Sequence, residues 1–378
     1  MNKDVPILRF GSTTQKGIST GIVIKEVYSN TIPLTFSMGR IIDINEWLKG
    51  RLVLSHRRDI LKQLEFIGIV KIFDIISVTN CISLNDTYWV KQVGSKINWD
   101  RVSPYRNPLN SAIADYAIGS GRSFNGKKIS SSPDFSTGGS FPKCWKRVNG
   151  VIYLYKTGSP GFSNSGIEPY SEIYASKLME KLDIPHITYE LVNYKNRLAT
   201  RCPCMCSEKI GLYQVGDLTV IREGYEDLVK QGFVSPEYLS EMLLVDYLSL
   251  NIDRHLGNIG ILVDNDSQVL LKGSPIYDNN MSFVPYFVPD NSKKLSQSLE
   301  EYIIGADSNG DILRASDGST FEDIFRLSLK LGGNKIVSKV KNLRGFRFKT
   351  SMPRDRVANA VLDRQLTIAN KILNSYKR

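Results

Sequence analysis

Histidine is scarce in this chain, with three in 378 residues. His56 and His186 stand in no motif, so a multi-histidine metal centre is not the basis of function. No uncharged apolar run approaches the ~18 residues of a membrane helix. The amino terminus, Met-Asn-Lys-Asp, is followed by no apolar block and no small-residue cleavage pattern, so no secretory leader is expected. The five cysteines are odd in number, and Cys202, Cys204 and Cys206 alternate along a segment that reads as extended. Zinc-binding cysteines are usually separated by about two to four residues and need a second pair. Neither Cys81 nor Cys144 provides one. Reduced thiols on a strand and a cytoplasmic protein follow.

Acidic residues are nearly missing from the last part of the chain. From Lys330 to Arg378 there are thirteen Lys or Arg and two acids, Asp355 and Asp363, enough to account for the whole net charge of +11. Such a block attracts nucleic acid, an acidic partner or a membrane surface when it is a free arm. Here Leu343, Phe346, Phe348, Val357, Val361, Leu362, Leu366 and Ile368 are interleaved with the charges, which predicts packed helices with a basic surface. Nucleic-acid binding is therefore expected to be weak or indirect.

No repeat at a fixed period is present. The first 75 residues read as strands followed by helices, with Ser55 capping a helix that carries Ile60, Leu61, Leu64 and Ile67. Residues 101–139, rich in Ser, Gly, Asn and Pro, mark long loops or a boundary. Val151 to Tyr155 reads as a strand ending at Lys156, and a helix is expected from Pro169 to Leu182, with Pro185 beyond its end. Strands at 188–192 and 197–202 flank the turn Asn193-Tyr194-Lys195-Asn196. Ser235 and Pro236 start a helix, and Ile259–Val263 with Val269–Leu271 form a hairpin. The order predicts an α+β, bilobal fold: an accessory region over 1–100, a strand-rich lobe over 101–230 and a mainly helical lobe over 231–378, with the ligand cleft between the lobes.

The run Asn251-Ile252-Asp253-Arg254-His255-Leu256-Gly257-Asn258 carries the chemistry. A carboxylate five residues before a carboxamide, followed by Asp278 in Tyr277-Asp278-Asn279-Asn280, suits phosphoryl transfer: one aspartate orients the attacking hydroxyl, while an asparagine oxygen and a second aspartate hold magnesium on the nucleotide phosphates. Each residue alone reads more simply as a surface acid, a cap or a turn; their joint order makes the case. His255 reads as a brace for its loop. Thr137-Gly138-Gly139-Ser140-Phe141-Pro142-Lys143 precedes the Lys156 strand, and adjacent glycines let backbone N–H groups approach phosphate. It lacks the GKS or GKT ending of a P-loop. Lys156 is placed to neutralise phosphates, with Glu172 its expected partner on the next helix and Glu168 the competing choice.

Together these motifs resemble the HipA-like serine/threonine kinases over about 136–284. These bacterial kinases have a protein-kinase-like bilobal fold, and several are toxins paired with a DNA-binding antitoxin. The resemblance implies ATP and Mg2+ as cofactors, Asp253 as catalytic base, Asn258 and Asp278 as metal ligands, and Lys156 as a phosphate contact. It implies a phosphate loop containing Gly138, Gly139, Ser140 and Lys143, an adenine-contacting hinge near Cys202 to Cys206, and autophosphorylation at Ser136. A protein substrate and an inhibitory antitoxin are the partners it implies. The chain departs from the family at Phe141, where a glutamine is usual, at Pro142, where an acid is usual, and at the Asn-Asn pair after Asp278. The D-R-H-x-x-N run also occurs in phosphatidylinositol kinases, which leaves a lipid kinase as the nearest rival. A non-catalytic binder using the basic segment is the other.

Overall fold

The computed structural model describes residues 1–15, 18–40, 43–51, 72–118, 131–139, 141–159, 166–220, 224–305 and 312–376. The helix expected after Ser55 lies outside these residues, as does Ser140.

The chain opens with an antiparallel hairpin, β1 (Leu8–Gln15) and β2 (Ile18–Val27), followed by helices α1 (Leu34–Ser37), α2 (Ile44–Arg51) and α3 (Ile72–Thr79). Ile7, Ile44, Trp47, Leu48, Ile76 and Tyr88 form its own buried cluster. This region also bonds to the rest of the molecule, through Asn2 Nδ2 to the Asn265 carbonyl at 2.7 Å and the Leu212 N–H to the Asn85 carbonyl at 2.7 Å. A cavity of about 760 Å3 lies within residues 1–97 and contains none of the candidate site residues.

Next comes a four-stranded antiparallel sheet in the order β3 (Lys143–Val148), β4 (Val151–Thr157), β6 (Arg197–Pro203), β5 (Glu190–Tyr194). The β5–β6 turn is tighter than the sequence reading. Only Lys195 and Asn196 lie outside the ladder, with φ of 53° and 61°. That is the two-residue hairpin whose left-handed backbone matches strand twist, so Asn193 and Tyr194 remain paired in β5. Helix α4 (Glu168–Leu182) packs against this sheet and ends at Asp183, a left-handed residue (φ 52°) two positions before Pro185.

A second antiparallel sheet follows, in the order β7 (Ile210–Gln214), β8 (Gly260–Asp264), β9 (Leu270–Gly273). β7 thus pairs with a strand, β8, that follows helix α5 (Pro236–Ser249) in the chain. Ser235 caps α5, its Oγ accepting from the Tyr238 N–H at 3.1 Å. Helices α6 (Leu295–Ile304), α7 (Phe321–Asn342) and α8 (Asp355–Tyr376) complete the main core, in which Tyr247 stacks on Phe325 with ring centroids 4.5 Å apart.

The basic segment folds as packed helices. Leu343, Phe348, Val357, Val361 and Leu362 are buried. Several of its cations are paired: Lys330 with Glu226 at 2.8 Å, Lys339 with Glu241 at 3.1 Å and Arg347 with Asp363 at 2.7 Å. Among the described residues, no helix is long and apolar enough to cross a membrane.

Candidate active site

Register across the first sheet places three polar side chains in one row. Lys143 of β3 faces Lys156 of β4, which faces Thr200 of β6. Directly opposed residues share a face of the sheet, and all three are buried. Two lysines side by side repel, so the row needs carboxylates. Glu172 of α4 supplies one: its Oε1 is 3.0 Å from Lys156 Nζ, and its Oε2 accepts from Thr200 Oγ1 at 2.5 Å. Asp278 supplies the other, its Oδ1 accepting from the same Lys156 Nζ.

Burial alone would lower the Lys156 pKa, but the Asp278 and Glu172 carboxylates outweigh it and hold the ammonium above its ordinary value. Asp278 feels the reverse. Burial raises its pKa, while Lys156 and then Lys143 bring it down to about 2. The ammonium and the carboxylate are therefore locked in their charged forms at neutral pH.

The structure pairs Lys156 with Glu172, the preferred choice from the sequence. Glu168, the competitor, opens helix α4 as expected, yet it is buried. Its Oε1 accepts from the Ser159 N–H at 3.2 Å and from Tyr286 Oη at 2.9 Å. It ties the loop after β4 to the segment after Asp278, a role with no signature in the sequence because its partners lie at 159 and 286.

The loop before β3 folds back on Lys143. Gly139 has φ of +87°, and a Cβ there would stand 2.2 Å from Lys143 Nζ. Gly138 borders open space. Phe141, the departure noted above, puts its ring centroid 5.4 Å from Lys156 Nζ, within cation–π range. Ser136 Oγ donates to the Ile82 carbonyl at 2.8 Å, which turns this hydroxyl toward the accessory region.

The Asp253–Asn258 run follows α5 after Leu250, which takes a left-handed turn (φ 51°). The Asn251 Oδ1 accepts from the Asp253 N–H at 3.2 Å. Asn258 Nδ2 donates to the Asp253 carbonyl at 2.8 Å, which leaves its amide oxygen as the atom suited to a cation. The Asp253 carboxyl is raised above the usual range by burial and by nearby Asp278, partly offset by His255 and Lys156. His255 Nδ1 accepts from the Gly257 N–H at 3.0 Å, bracing the turn, while Nε2 lies 4.0 Å from Asp253 Oδ1.

Arg254 binds the Asp253–Asn258 turn and the Asp278 turn together, a role the sequence reading did not assign to it. Its guanidinium is buried. Nε meets Asp246 Oδ2 at 3.0 Å, one terminal nitrogen bonds the Asn258 and Tyr277 carbonyls at 2.8 and 2.9 Å, and the other reaches Asn279 Oδ1 at 2.5 Å. The clue was Asp246, a charge inside the otherwise apolar stretch 242–248, placed where a buried partner is obligatory. The Asp278 N–H is bonded to the Tyr189 hydroxyl at 3.1 Å, a second contact the sequence did not announce.

No family model matches this chain, and no curated protein is close enough to match. Solved structures similar to it include two kinase-related chains. The Helicobacter pylori proinflammatory kinase CtkA is 19% identical with a TM-score of 0.45, over 62% of this chain and 95% of that one. HipA of the Shewanella oneidensis MR-1 toxin–antitoxin system, in a structure with HipB and its operator DNA, is 13% identical with a TM-score of 0.44, over 98% of this chain and 95% of that one.

The donor set fits a hard cation. Asp278 offers a carboxylate and Asn258 a carboxamide oxygen, and magnesium characteristically takes one or two protein oxygens and completes its shell with phosphate and water. The described residues hold no cluster of three or more His, Cys, Asp or Glu suited to a protein-only metal cage.

Proposed function

We propose that this chain is an ATP-dependent kinase that transfers the γ-phosphoryl group to a Ser or Thr hydroxyl of a protein. The observation that carries this reading is Lys156, a strand lysine held by Glu172 on one side and by Asp278 on the other, with Asp253 and Asn258 fastened to the Asp278 turn through Arg254. Lys156 and Lys143 would bind phosphate oxygens, and Glu172 would keep the Lys156 ammonium aimed at them. Asp278 and Asn258 would hold Mg2+, which supplies charge neutralisation on the β- and γ-phosphates. Asp253 would accept the hydrogen bond of the attacking hydroxyl and take its proton as the new P–O bond forms and the bond to the ADP oxygen breaks. The transition state is loose, so alignment and charge neutralisation do most of the work.

In the same reading Ser136 is an autophosphorylation site, and an antitoxin or other inhibitory protein is a partner. Phosphate on Ser136 would replace the hydroxyl that now bonds to Ile82, separating the glycine loop from the accessory region.

The test is transfer of radiolabelled phosphate from ATP by the purified chain to itself and to an extract of dephosphorylated proteins. Asp253→Ala and Asp278→Ala should each lower the rate by about 10²-fold or more. An Asp278→Ala protein as active as the wild type ends the metal assignment. Labelling confined to phosphatidylinositol vesicles replaces the protein acceptor with a lipid. An unchanged phosphosite map in Ser136→Ala removes the autophosphorylation site.

A further inference from the structure

The segment that leaves helix α4 is bonded to the segment that carries Asp278. At the end of α4 the buried Lys339 Nζ donates to the Leu182 and Asp183 carbonyls at 2.6 and 3.2 Å, and His186 Nδ1 lies 2.7 Å from the Ile184 carbonyl oxygen. The chain then forms a parallel bridge between His186 and Ile276. The Ile276 N–H donates to the Pro185 carbonyl at 3.0 Å, and the Ile187 N–H donates to the Ile276 carbonyl at 2.9 Å. A parallel ladder repeats every two residues, so its next rung would run from the Asp278 N–H to the Ile187 carbonyl. Asp278 leaves the ladder instead. It turns left-handed (φ 55°), and its N–H meets the Tyr189 hydroxyl at 3.1 Å.

A side chain thus takes over where the backbone rung stops. A carbonyl partner would hold residue 278 extended; the hydroxyl lets the chain turn while the N–H stays satisfied. With the turn made, the Asp278 carboxylate reaches Lys156, whose other partner is Glu172 on α4. Arg254 grips the residues on either side, through the Tyr277 carbonyl and the Asn279 side chain, but the Asp278 N–H itself goes to Tyr189. One continuous stretch therefore places both carboxylates on Lys156: α4 carries Glu172, and the chain leaving α4 carries the hydroxyl that holds Asp278.

We propose that Tyr189 is a positioning residue for Asp278: its hydroxyl fixes the left-handed turn that aims the carboxylate at the magnesium ion. The aim at a cation rests on the proposed function; the hold on the turn does not. Tyr189 acts through the Asp278 backbone. Its loss should loosen that turn first and weaken the grip on metal as a consequence, in the way that groups orienting a metal ligand characteristically do.

Tyr189→Phe keeps the ring and removes the hydroxyl. In the full chain, amide hydrogen exchange resolved to single residues should speed up about tenfold at Asp278. Ile187 and Ile276, whose backbone bonds remain, should exchange as in the wild type. Unchanged exchange at Asp278, or equal acceleration at all three amides, overturns the proposal. Metal binding is read without turnover, by electron paramagnetic resonance of Mn2+ titrated into protein saturated with a non-hydrolysable ATP analogue. The Kd for Mn2+ should rise about tenfold in Tyr189→Phe, with metal-free affinity for the analogue within about twofold of the wild type. Unaltered Mn2+ affinity, or an equal loss of metal-free binding, overturns the role toward the metal. In Asp278→Asn the same change at Tyr189 should lower Mn2+ affinity no further; a further loss overturns the claim that Tyr189 acts through Asp278. A wild-type protein that binds neither the analogue nor Mn2+ overturns the kinase reading, and exchange at Asp278 then decides alone whether Tyr189 holds the turn.

Discussion

The two sides of the candidate site are built by different means. On one side, Lys143, Lys156 and Thr200 stand in register across β3, β4 and β6, so an ordinary ladder aims them. On the other, Asp253, Asn258 and Asp278 sit on turns, and the backbone there is unusual. Leu250, Asp278, Phe283 and Val284 all have φ between 46° and 56°. A left-handed residue other than glycine costs on the order of 1–2 kcal/mol, and it persists only where its surroundings hold it. Arg254 provides much of that hold, with bonds to α5, to the Asn258 turn and to both Tyr277 and Asn279. A strand presents a charge through its neighbours' backbone; these turns need a buried guanidinium for the same task.

The sharpest way to break this contrast is Arg254→Met. It strands the Asp246 carboxylate in the core, and losing one partner of a buried ion pair costs about 3–5 kcal/mol. Urea unfolding should show that loss, and Asp246→Leu combined with Arg254→Met should recover a good part of it, since no charge is then left unpaired. Lys156→Met, on the ladder side, should abolish phosphoryl transfer; it leaves the buried Glu172 carboxylate without its ammonium, but Thr200 still donates to that carboxylate and Asp278 keeps some access to water, so the stability cost should be smaller than that of Arg254→Met. Equal unfolding midpoints for the two variants would erase the distinction.

Acid sharpens the comparison from the Asp278 side. Its carboxyl is lowered from 3.8 to about 2, so the ionised native form is favoured and stability from this group is fully present above about pH 4. As pH falls from about 4 toward 2 the contribution should disappear. Lys156, raised above 10.5, contributes below that pH and loses nothing in this window. The difference in unfolding free energy between wild type and Asp278→Asn should therefore narrow across this acid range. A constant gap would mean that the Lys156–Asp278 pair does not control the titration.

The same contrast explains how much of the molecule was legible. The ladder side could be read from local pattern: an apolar strand ending in Lys156, a helix at the right distance bearing Glu172, a Gly-Gly turn. The other side was legible only as a string of residue types. The spacing of Asp253, Asn258 and Asp278 suggested a chemistry for them, but nothing in it announced the left-handed φ of Asp278 or the Tyr189 hydroxyl on its N–H. Arg254 was hidden between two residues that drew the attention, and its chief partner lies eight positions away on α5. Long-range polar contacts leave no periodicity, so the sequence named the groups without naming what positions them.

The smallest expected effect separates two glycines that the sequence treated alike. Gly139 has φ of +87°, and a Cβ there meets the end of Lys143. Lys143 can swing aside, so the backbone sets the cost of Gly139→Ala, about 1 kcal/mol in thermal or urea unfolding. Gly138 has no positive φ and borders open space, so Gly138→Ala should leave stability within about 0.5 kcal/mol. If this loop covers phosphate, its methyl group points into room that the nucleotide needs, and KM for ATP should rise with kcat nearly unchanged, the pattern of lost uniform binding. Gly139→Ala should instead weaken both parameters through displaced Lys143. A Gly138→Ala protein with unaltered KM would mean that the loop stands clear of the nucleotide, and the ladder side would then contribute its lysines without a phosphate cradle.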